Sequence, residues 1–192
     1  MAEKVCPVWV GYLLASPVRK LFQNPQKMLI PYVKEGMKVL DIGCAMGFFS
    51  LPLAKMVGSN GKVICVDVQK KMIEALEKRA QKAKISDRIE TRICSHHSLD
   101  LNDLKEKIDF VFAAAVIHEV PDASAFFSEI CETIKKDGKF LVVEPKGHIS
   151  EKDFEISVSL AEQNGFQVID SPQISRSHVV LLGKRVPPQE DS

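Results

Sequence analysis

Short apolar runs alternate with amphipathic stretches along most of the chain. The runs predict seven β-strands, at about 38–43, 62–68, 89–94, 108–116, 138–145, 166–171 and 177–184. Between them, apolar residues at helical spacing, such as Met72, Leu76 and Ala80, predict helices near 47–57, 70–83, 122–135 and 151–164. The run from Phe110 to Val116 is apolar throughout, as is typical of a strand that is covered on both faces. The pattern therefore predicts an α/β protein with a doubly wound, mostly parallel sheet.

The last two strands form the predicted exception to the parallel order. They are joined by a short loop around Ser171 and Pro172, which is too short for a crossover helix, so we expect them to pair antiparallel. Asp137-Gly138 has the composition of a turn before the fifth strand. Ser150 has the position of an N-cap for the last helix.

The segment from Val39 to Gly47 runs from an apolar strand through two glycines into a helix that is expected to begin near Phe48. Glycine permits a positive φ and lets the backbone approach a ligand closely. The following helix offers unpaired N–H groups and the positive end of its dipole. A small nucleotide-like molecule therefore fits this turn.

The composition of the turn indicates which nucleotide it suits. A dinucleotide-binding turn has glycine at its second conserved position, but that position is Ala45 here, and Asp41 adds a negative charge at the strand end. These residues favour a ligand with a cationic part, such as an ammonium or a sulfonium, over an anionic pyrophosphate. About 20 residues after Gly47, a second strand ends in Asp67, which is placed to accept hydrogen bonds from both ribose hydroxyls.

Together these residues resemble the class I S-adenosylmethionine-dependent methyltransferases. Val39–Gly47 resembles the first motif of that family, and Asp67 resembles its ribose-binding acid. Ile108–Val116 and Gly138–Pro145 resemble its fourth and fifth strands. The resemblance implies a Rossmann-like, seven-stranded sheet with one antiparallel strand near the edge and helices on both faces. It also implies S-adenosyl-L-methionine as the cofactor and methyl transfer by in-line displacement as the activity.

The resemblance implies the position of the cofactor as well, because ligands bind at the carboxyl ends of the strands in such sheets. The segment after the third strand is expected to flank the adenine, although it lacks the acid that the family often has there. The end of the fourth strand is expected to approach the methionine part. Met72 either covers the adenine or packs inward, and Cys44 is either a small neighbour or a reactive thiol. The residues expected to bind the cofactor are Asp41, Gly43, Cys44, Ala45, Gly47, Asp67, Val68, Met72, Cys94, Ser95, His96 and Ala114.

His118 is the candidate catalytic residue. Methyl transfer depends mainly on placement and on exclusion of water, and it needs a base only if the acceptor atom carries a proton. His118 follows the fourth strand, where an acceptor is expected to approach, and an imidazole can take up a proton near neutral pH. Alternatively, His118 shapes the pocket or bonds the backbone. Its neighbour Glu119 is interpreted as a solvated or capping residue.

Residues 1–35 are interpreted as a helical lid segment, followed by the cofactor-binding domain at 36–186 and a disordered tail at 187–192. Pro25 follows Asn24, which predicts the start of one of the helices in the lid segment. Trp9 and Tyr12, together with His118, are the candidate contacts to the acceptor. A plain core helix and docking on a membrane surface are the alternatives for the segment around Trp9.

The composition argues against several classes of protein, namely nucleic-acid-binding, membrane-spanning, disulfide-linked and metal-binding ones. With 192 residues and a net charge of +1, the chain has the size of one domain and shows no basic block for nucleic acid. No apolar run reaches the ~18 residues that span a bilayer. The five cysteines lack C-x-x-C spacing, so neither a disulfide framework nor a zinc site is expected, and a cytoplasmic location is favoured. His96 and His97 are adjacent and point opposite ways on an extended chain, so no metal site is expected there either.

Three functions remain open from the sequence. A methyltransferase acting on a small molecule, as a monomer or homodimer, is favoured because no inserted domain or basic arm is present to hold a macromolecule. The fourth strand also lacks the Asn/Asp-Pro-Pro-Tyr run of amide and base-amino methyltransferases. The alternatives are a cofactor-binding regulatory protein without catalysis and an NAD-dependent oxidoreductase, which Asp41 and Ala45 disfavour. The acceptor atom stays open among O, N, S, C and a metalloid.

Overall fold

The computed structural model describes residues 24–185. Within them, the strands are β1 Lys38–Ile42, β2 Lys62–Asp67, β3 Ile89–Ile93, β4 Ile108–Ala114, β5 Ile134–Pro145, β6 Phe166–Asp170 and β7 Ser177–Lys184. The α-helices are α1 Pro25–Leu29, α2 Ser50–Met56, α3 Lys70–Lys82, α4 Ala123–Thr133 and α5 Glu151–Gln163. Short 3-10 turns lie at Ser86–Arg88, Asn102–Leu104 and Ile117–Glu119.

The strands form one sheet in the order β3-β2-β1-β4-β5-β7-β6. β7 runs antiparallel to both of its neighbours, and the other pairs are parallel. The predicted mostly parallel sheet with one antiparallel strand near its edge is therefore confirmed. Because β1 lies between β2 and β4, the strand order reverses at β1, and a crevice opens at the carboxyl ends of these strands.

Each face of the sheet is covered by its own apolar layer. Alternate residues of β4 belong to opposite layers. Val111 packs with α4, whereas Phe110 and Phe112 pack with α2 and α3. All three side chains are essentially inaccessible to solvent. The uninterrupted apolar run in this strand thus results from burial on both faces.

Two predicted element boundaries differ from the structure by three residues or more. Asp137-Gly138 was expected to be a turn, but both residues lie inside β5, which begins at Ile134. In the pairing of β4 with β5, Ile108 lies opposite Ile134, and the next paired residues are Phe110 and Lys139. The additional residues of β5 between these two pairs form an irregularity in the ladder. The first helix after β1 begins at Ser50, not near Phe48.

The two helix starts assigned from caps are confirmed. The Asn24 side chain accepts hydrogen bonds from the N–H groups of Gln26 and Lys27 at the start of α1. The Ser150 Oγ atom accepts a hydrogen bond from the Asp153 N–H at 3.1 Å. Both satisfy backbone donors that a helix leaves unpaired at its N-terminus.

The described part of the predicted lid segment, residues 24–35, packs into the core. Leu29 is fully buried and Val33 is 6 % exposed, in the same apolar cluster as Val39 and Leu53. Leu29 and Val33 therefore belong to the core, whereas the segment around Trp9, for which a lid, a core helix and membrane docking were considered, lies outside the described residues. In residues 24–185, no helix combines the length and the apolarity needed to cross a membrane.

Candidate functional site

A cavity of about 440 Å³ lies at the carboxyl ends of β1, β2 and β4. Its volume falls within the range of small-molecule sites. The cavity brings together the turn after β1, the end of β2, the loop after β3 and the segment after β4. Of the residues predicted to bind the cofactor, Gly43, Cys44, Ala45, Asp67, Val68, Met72, Cys94, Ser95, His96 and Ala114 line it, as does His118.

The turn after β1 is fixed to the end of β2 by backbone hydrogen bonds. The N–H groups of Gly43 and Cys44 donate to the Val66 carbonyl at 2.9 and 3.1 Å. Gly43 has φ +66°, and a Cβ atom added there would overlap the Val116 side chain. Glycine is therefore required at this position by both the backbone conformation and the space. Ala45 adopts φ +45°, a left-handed conformation that a small residue accepts at modest cost.

Asp67 links the turn to the next helix. One carboxylate oxygen accepts a hydrogen bond from the Ala45 N–H at 2.9 Å, and the other accepts one from the Gln69 N–H at 2.8 Å. Asp67 is 8 % exposed, and burial raises its pKa although these two hydrogen bonds oppose the shift. Each carboxylate oxygen has a second lone pair. Asp67 can therefore hold the turn and still accept hydroxyl hydrogen bonds from a ligand.

Asp41 lies beneath the turn and outside the cavity lining, contrary to our expectation. It is 2 % exposed, and the Ser50 Oγ atom donates a hydrogen bond to it at 2.5 Å. Burial raises its pKa to about 7 despite this hydrogen bond. Because residues alternate along β1, Asp41 shares the face of Val39, which packs towards α2. It cannot face the cationic part of a ligand from there.

Gly47 is also outside the lining, and it closes the turn from below. Its N–H donates to the Cys44 carbonyl at 2.9 Å, and it has φ +81°. A Cβ atom there would overlap Leu76 of α3. Gly47 therefore supports the turn through helix packing and does not line the cavity.

Glu144, at the end of β5, is a functional candidate that the sequence reasoning missed. Its side chain is completely buried. One carboxylate oxygen accepts hydrogen bonds from the N–H groups of Val116 and Ile117 at 2.9 and 2.8 Å. The other lies 2.6 Å from Nδ1 of His118. An acid that directly follows the apolar residues 140–143 was the available signal, because a charged residue seldom ends such a run without a partner.

The contact with Glu144 orients His118 in the cavity wall. The carboxylate raises the pKa of His118 chiefly through this hydrogen bond, against the opposing effect of burial. With Nδ1 held by Glu144, Nε2 is the ring nitrogen available to a substrate proton. Nε2 also lies 3.9 Å from Glu119, and the His118 ring meets the ring of His148 edge-on at 5.2 Å. The geometry suits a general base whose tautomer is set by a buried carboxylate.

The loop after β3 is anchored by a second residue that the sequence reasoning missed, Glu129 of α4. Its carboxylate accepts hydrogen bonds from the N–H groups of Leu99 and Leu101 at 2.9 and 3.0 Å. Ser95 Oγ accepts from the N–H groups of His97 and Ser98 at 3.2 and 3.1 Å, so this side chain shapes the loop. The partners of Glu129 lie 30 and 28 residues away in the chain, so only its acidic character on a predicted helix was visible in the sequence.

The remaining candidates are Met72, the two cysteines of the cavity lining and the residues of the predicted lid segment. Met72 is 2 % exposed and lies in the cavity wall. Burial raises the pKa of the Cys44 thiol well above its ordinary value and that of Cys94 to about 11, which disfavours a reactive thiolate at either position. Trp9 and Tyr12 lie outside the described residues. Within 24–185, no group of three or more His, Cys, Asp and Glu side chains is arranged to hold a metal ion.

Comparison with known proteins assigns this chain to a family. Residues 33–178 match the family model described as a methyltransferase domain. The chain is 31 % identical over 112 residues to a demethylmenaquinone methyltransferase of Lactobacillus johnsonii. The aligned region covers 58 % of this chain and 45 % of the relative. It is 32 % identical over 144 residues to a ribosomal protein L11 methyltransferase of Dictyoglomus turgidum, covering 75 % of this chain and 43 % of the relative.

The fold is also found among solved structures. A SAM-dependent methyltransferase from Aquifex aeolicus superposes with a TM-score of 0.82 and 24 % identity, covering 95 % of this chain and all of the other. The chain spans less than half the length of these two curated relatives. On the family match and the fold together, this chain belongs to the methyltransferase-domain family, in the class I S-adenosylmethionine-dependent group.

Proposed function

We propose that this chain transfers the methyl group of S-adenosylmethionine to a small-molecule acceptor, with His118 as general base. One observation carries the proposal. The cavity that is lined by the turn after β1 and by Asp67 is also lined by the imidazole that Glu144 orients. A cofactor held by the first set of residues and an acceptor beside His118 would share one cavity.

The residues of the cavity fit the cofactor that the family uses. Asp67 would accept hydrogen bonds from the ribose hydroxyls, and the tight backbone at Gly43 would let the ligand lie against the turn. The loop from Cys94 to Leu99 would flank the adenine, and Ala114 at the end of β4 would lie near the methionine part. When bound, S-adenosylmethionine supplies an electrophilic methyl group on a sulfonium.

His118 and Glu144 would move the proton. As the electron pair of the acceptor atom forms a bond to the methyl carbon, the carbon–sulfur pair stays on sulfur. Nε2 of His118 takes the proton that the acceptor atom releases, and the imidazolium is stabilised by the Glu144 carboxylate at 2.6 Å. The buried side of the cavity would keep water from the reacting atoms.

Two features support a small acceptor. The cavity is a recess at the strand ends and has the volume of small-molecule sites. One relative is named for a quinone acceptor, demethylmenaquinone. Another relative is named for a ribosomal protein, so the test must also be able to detect methylation of a macromolecule.

The test is a methylation screen with a labelled methyl donor. Pools of phenols, amines, thiols and metalloids are assayed beside a ribosomal protein fraction, and His118→Gln is compared with His178→Gln, a control on β7 outside the cavity lining. We expect turnover in a small-molecule pool and a loss of about 10²–10⁴-fold in His118→Gln only. Label found only in the protein fraction contradicts the small acceptor. Cofactor binding without any turnover favours the regulatory alternative.

A further inference from the structure

We propose that the acceptor of this site is an apolar molecule that is neutral or cationic, and that the charge of the cavity excludes acceptors bearing a carboxylate, phosphate or sulfonate. The inference rests on the proposed function and specifies its substrate class. It concerns the end of the cavity beside His118, which we call the acceptor end. This end comprises the lining residues His118 to Pro121, which are continuous in the chain, and His148, whose ring meets that of His118.

The charged residues of the cavity lining are of one sign. Asp67, Glu119, Asp122 and Glu129 all line it, and Glu144 lies directly behind it. The chain has 26 lysines and arginines, yet none of the lining residues found in the described range 24–185 is one of them. An acceptor with a net negative charge would therefore meet carboxylates, and the described lining offers no lysine or arginine to receive it.

Three of these carboxylates are already occupied by donors of the protein. Asp67 accepts two backbone hydrogen bonds, and so does Glu129. Asp122 caps α4 by accepting from the Ala125 N–H at 3.0 Å. Their role is structural as well as electrostatic, and a cofactor with a sulfonium cation suits their combined field.

Glu119 is the carboxylate closest to the proposed reacting atoms. Its side chain is 38 % exposed and lies 3.9 Å from Nε2 of His118. Burial raises its pKa, and Asp67 and Glu144 add to the shift, whereas His118 and His148 oppose it. A ligand with positive charge at the acceptor end would relieve this repulsion.

The protonation state of His118 during the reaction strengthens the argument. To act as a base, His118 must enter the reaction neutral, so it cannot then compensate Glu144 and Glu119. A neutral phenol or an amine is tolerated in that state, whereas a carboxylate on the acceptor adds a like charge within a few ångströms. The apolar side chains of Val120 and Pro121, which follow Glu119 in the lining, favour an acceptor with a hydrophobic body.

Three catechols of the same ring and different charge test the inference: dopamine, catechol and 3,4-dihydroxybenzoate. Their binding to the chain saturated with S-adenosylhomocysteine is measured by calorimetry at low and high salt, so the result does not depend on turnover. We expect dopamine and catechol to bind at least about 10-fold more tightly than 3,4-dihydroxybenzoate at low salt. This ratio should shrink at high salt, because exposed charges are screened.

A variant assigns the preference to Glu119. Glu119→Gln should reduce the ratio of dopamine to 3,4-dihydroxybenzoate affinity by about 3-fold or more. Glu74→Gln, which removes a surface carboxylate paired with Lys70, should leave the ratio unchanged. Tighter binding of 3,4-dihydroxybenzoate, an unaltered ratio in Glu119→Gln, or no binding of any of the three overturns the inference. Saturation by S-adenosylhomocysteine in the same samples shows that such a failure leaves the proposed cofactor site intact.

Discussion

At the scale of single residues, the pair of His118 and Glu144 carries the proposed chemistry. A carboxylate that is completely buried is costly unless it is well paired. Glu144 meets this condition with two backbone N–H groups and the imidazole. The consequence is a histidine whose tautomer, orientation and pKa depend on a single acid.

Replacing this acid should change the pH profile of methyl transfer. Glu144→Gln can keep an acceptor for the Val116 and Ile117 N–H groups but removes the charge that raises the pKa of His118. The rate of a base-catalysed step rises with pH as the histidine loses its proton, so the acid limb should move to lower pH in the variant. The plateau rate should fall about 10–100-fold, because the imidazolium loses its stabilising partner.

Rates measured from pH 5 to 9 at saturating cofactor check this prediction. His178→Gln serves as the control, because its ring stacks on Phe154 of α5 and not in the cavity lining. An acid limb that stays in place in Glu144→Gln would mean that His118 is not the group that titrates.

The raised pKa of Asp41 predicts that the stability of the fold depends on pH. Its pKa rises from 3.8 in the unfolded chain to about 7 in the folded protein. The folded form therefore binds more protons than the unfolded chain between these values, so Asp41 contributes stability below pH 3.8 that is lost as pH rises towards 7. The loss amounts to roughly 4 kcal/mol at most. Asp41→Asn should remove this slope.

Denaturant unfolding of the wild type and Asp41→Asn between pH 4 and 8 measures the difference. We expect the variant to gain in relative stability as pH rises, because an amide at this position does not ionise. A constant difference across the range would show that Asp41 does not titrate there.

Sequence reasoning at the residue scale succeeded where the signal was local. His118 was found because it directly follows an apolar strand, and Gly43 because a turn at a strand end requires a positive φ. Glu144 was missed because its partner, His118, lies 26 residues away in the 3-10 turn after β4. Asp41 was placed in the cavity because its sequence position is that of a strand end, whereas the direction of its side chain is set by packing against Ser50.

At the scale of elements, α4 sets the position of the loop after β3. The carboxylate of Glu129 is shared by the N–H groups of Leu99 and Leu101, and a residue of one helix thereby shapes the wall expected to flank the adenine. Glu129→Gln retains one acceptor and loses the charge. It should weaken S-adenosylmethionine binding by about 1 kcal/mol, with little change in the rate at saturation.

Calorimetry and initial rates separate these two effects. Glu132→Gln is the matched control, because Glu132 is an exposed residue of the same helix outside the cavity lining. An unchanged affinity in Glu129→Gln, or an equal loss in Glu132→Gln, contradicts a positioning role for Glu129.

The elements themselves were largely predictable. Strands that are buried on both faces leave continuous apolar runs, and the short connection before β7 allowed only antiparallel pairing. The start of β5 was not predictable in the same way. Asp137-Gly138 has the local composition of a turn, and in the structure it lies between Ile134 and Lys139 of β5, where the ladder with β4 is irregular.

At the scale of the whole molecule, strand order determines where chemistry can take place. The reversal at β1 opens a crevice to which five strands or their following loops contribute, from Gly43 after β1 to His148 after β5. The position of the cavity followed from the sequence, since the carboxyl ends of parallel strands lie on one edge. The acceptor did not follow, because its selection depends on side chains such as Glu119 and Glu144 that converge only in the folded chain.

The central claim is that this crevice binds S-adenosylmethionine through Asp67. Calorimetric titration of the wild type, Asp67→Ala and the exposed control Asp137→Ala with S-adenosylmethionine, and of the wild type with NAD, tests it most directly. The account predicts saturable binding of S-adenosylmethionine, no heat with NAD, and a loss of about 1–3 kcal/mol in Asp67→Ala alone. Binding of NAD in place of S-adenosylmethionine, or equal affinity in Asp67→Ala and the wild type, would contradict it.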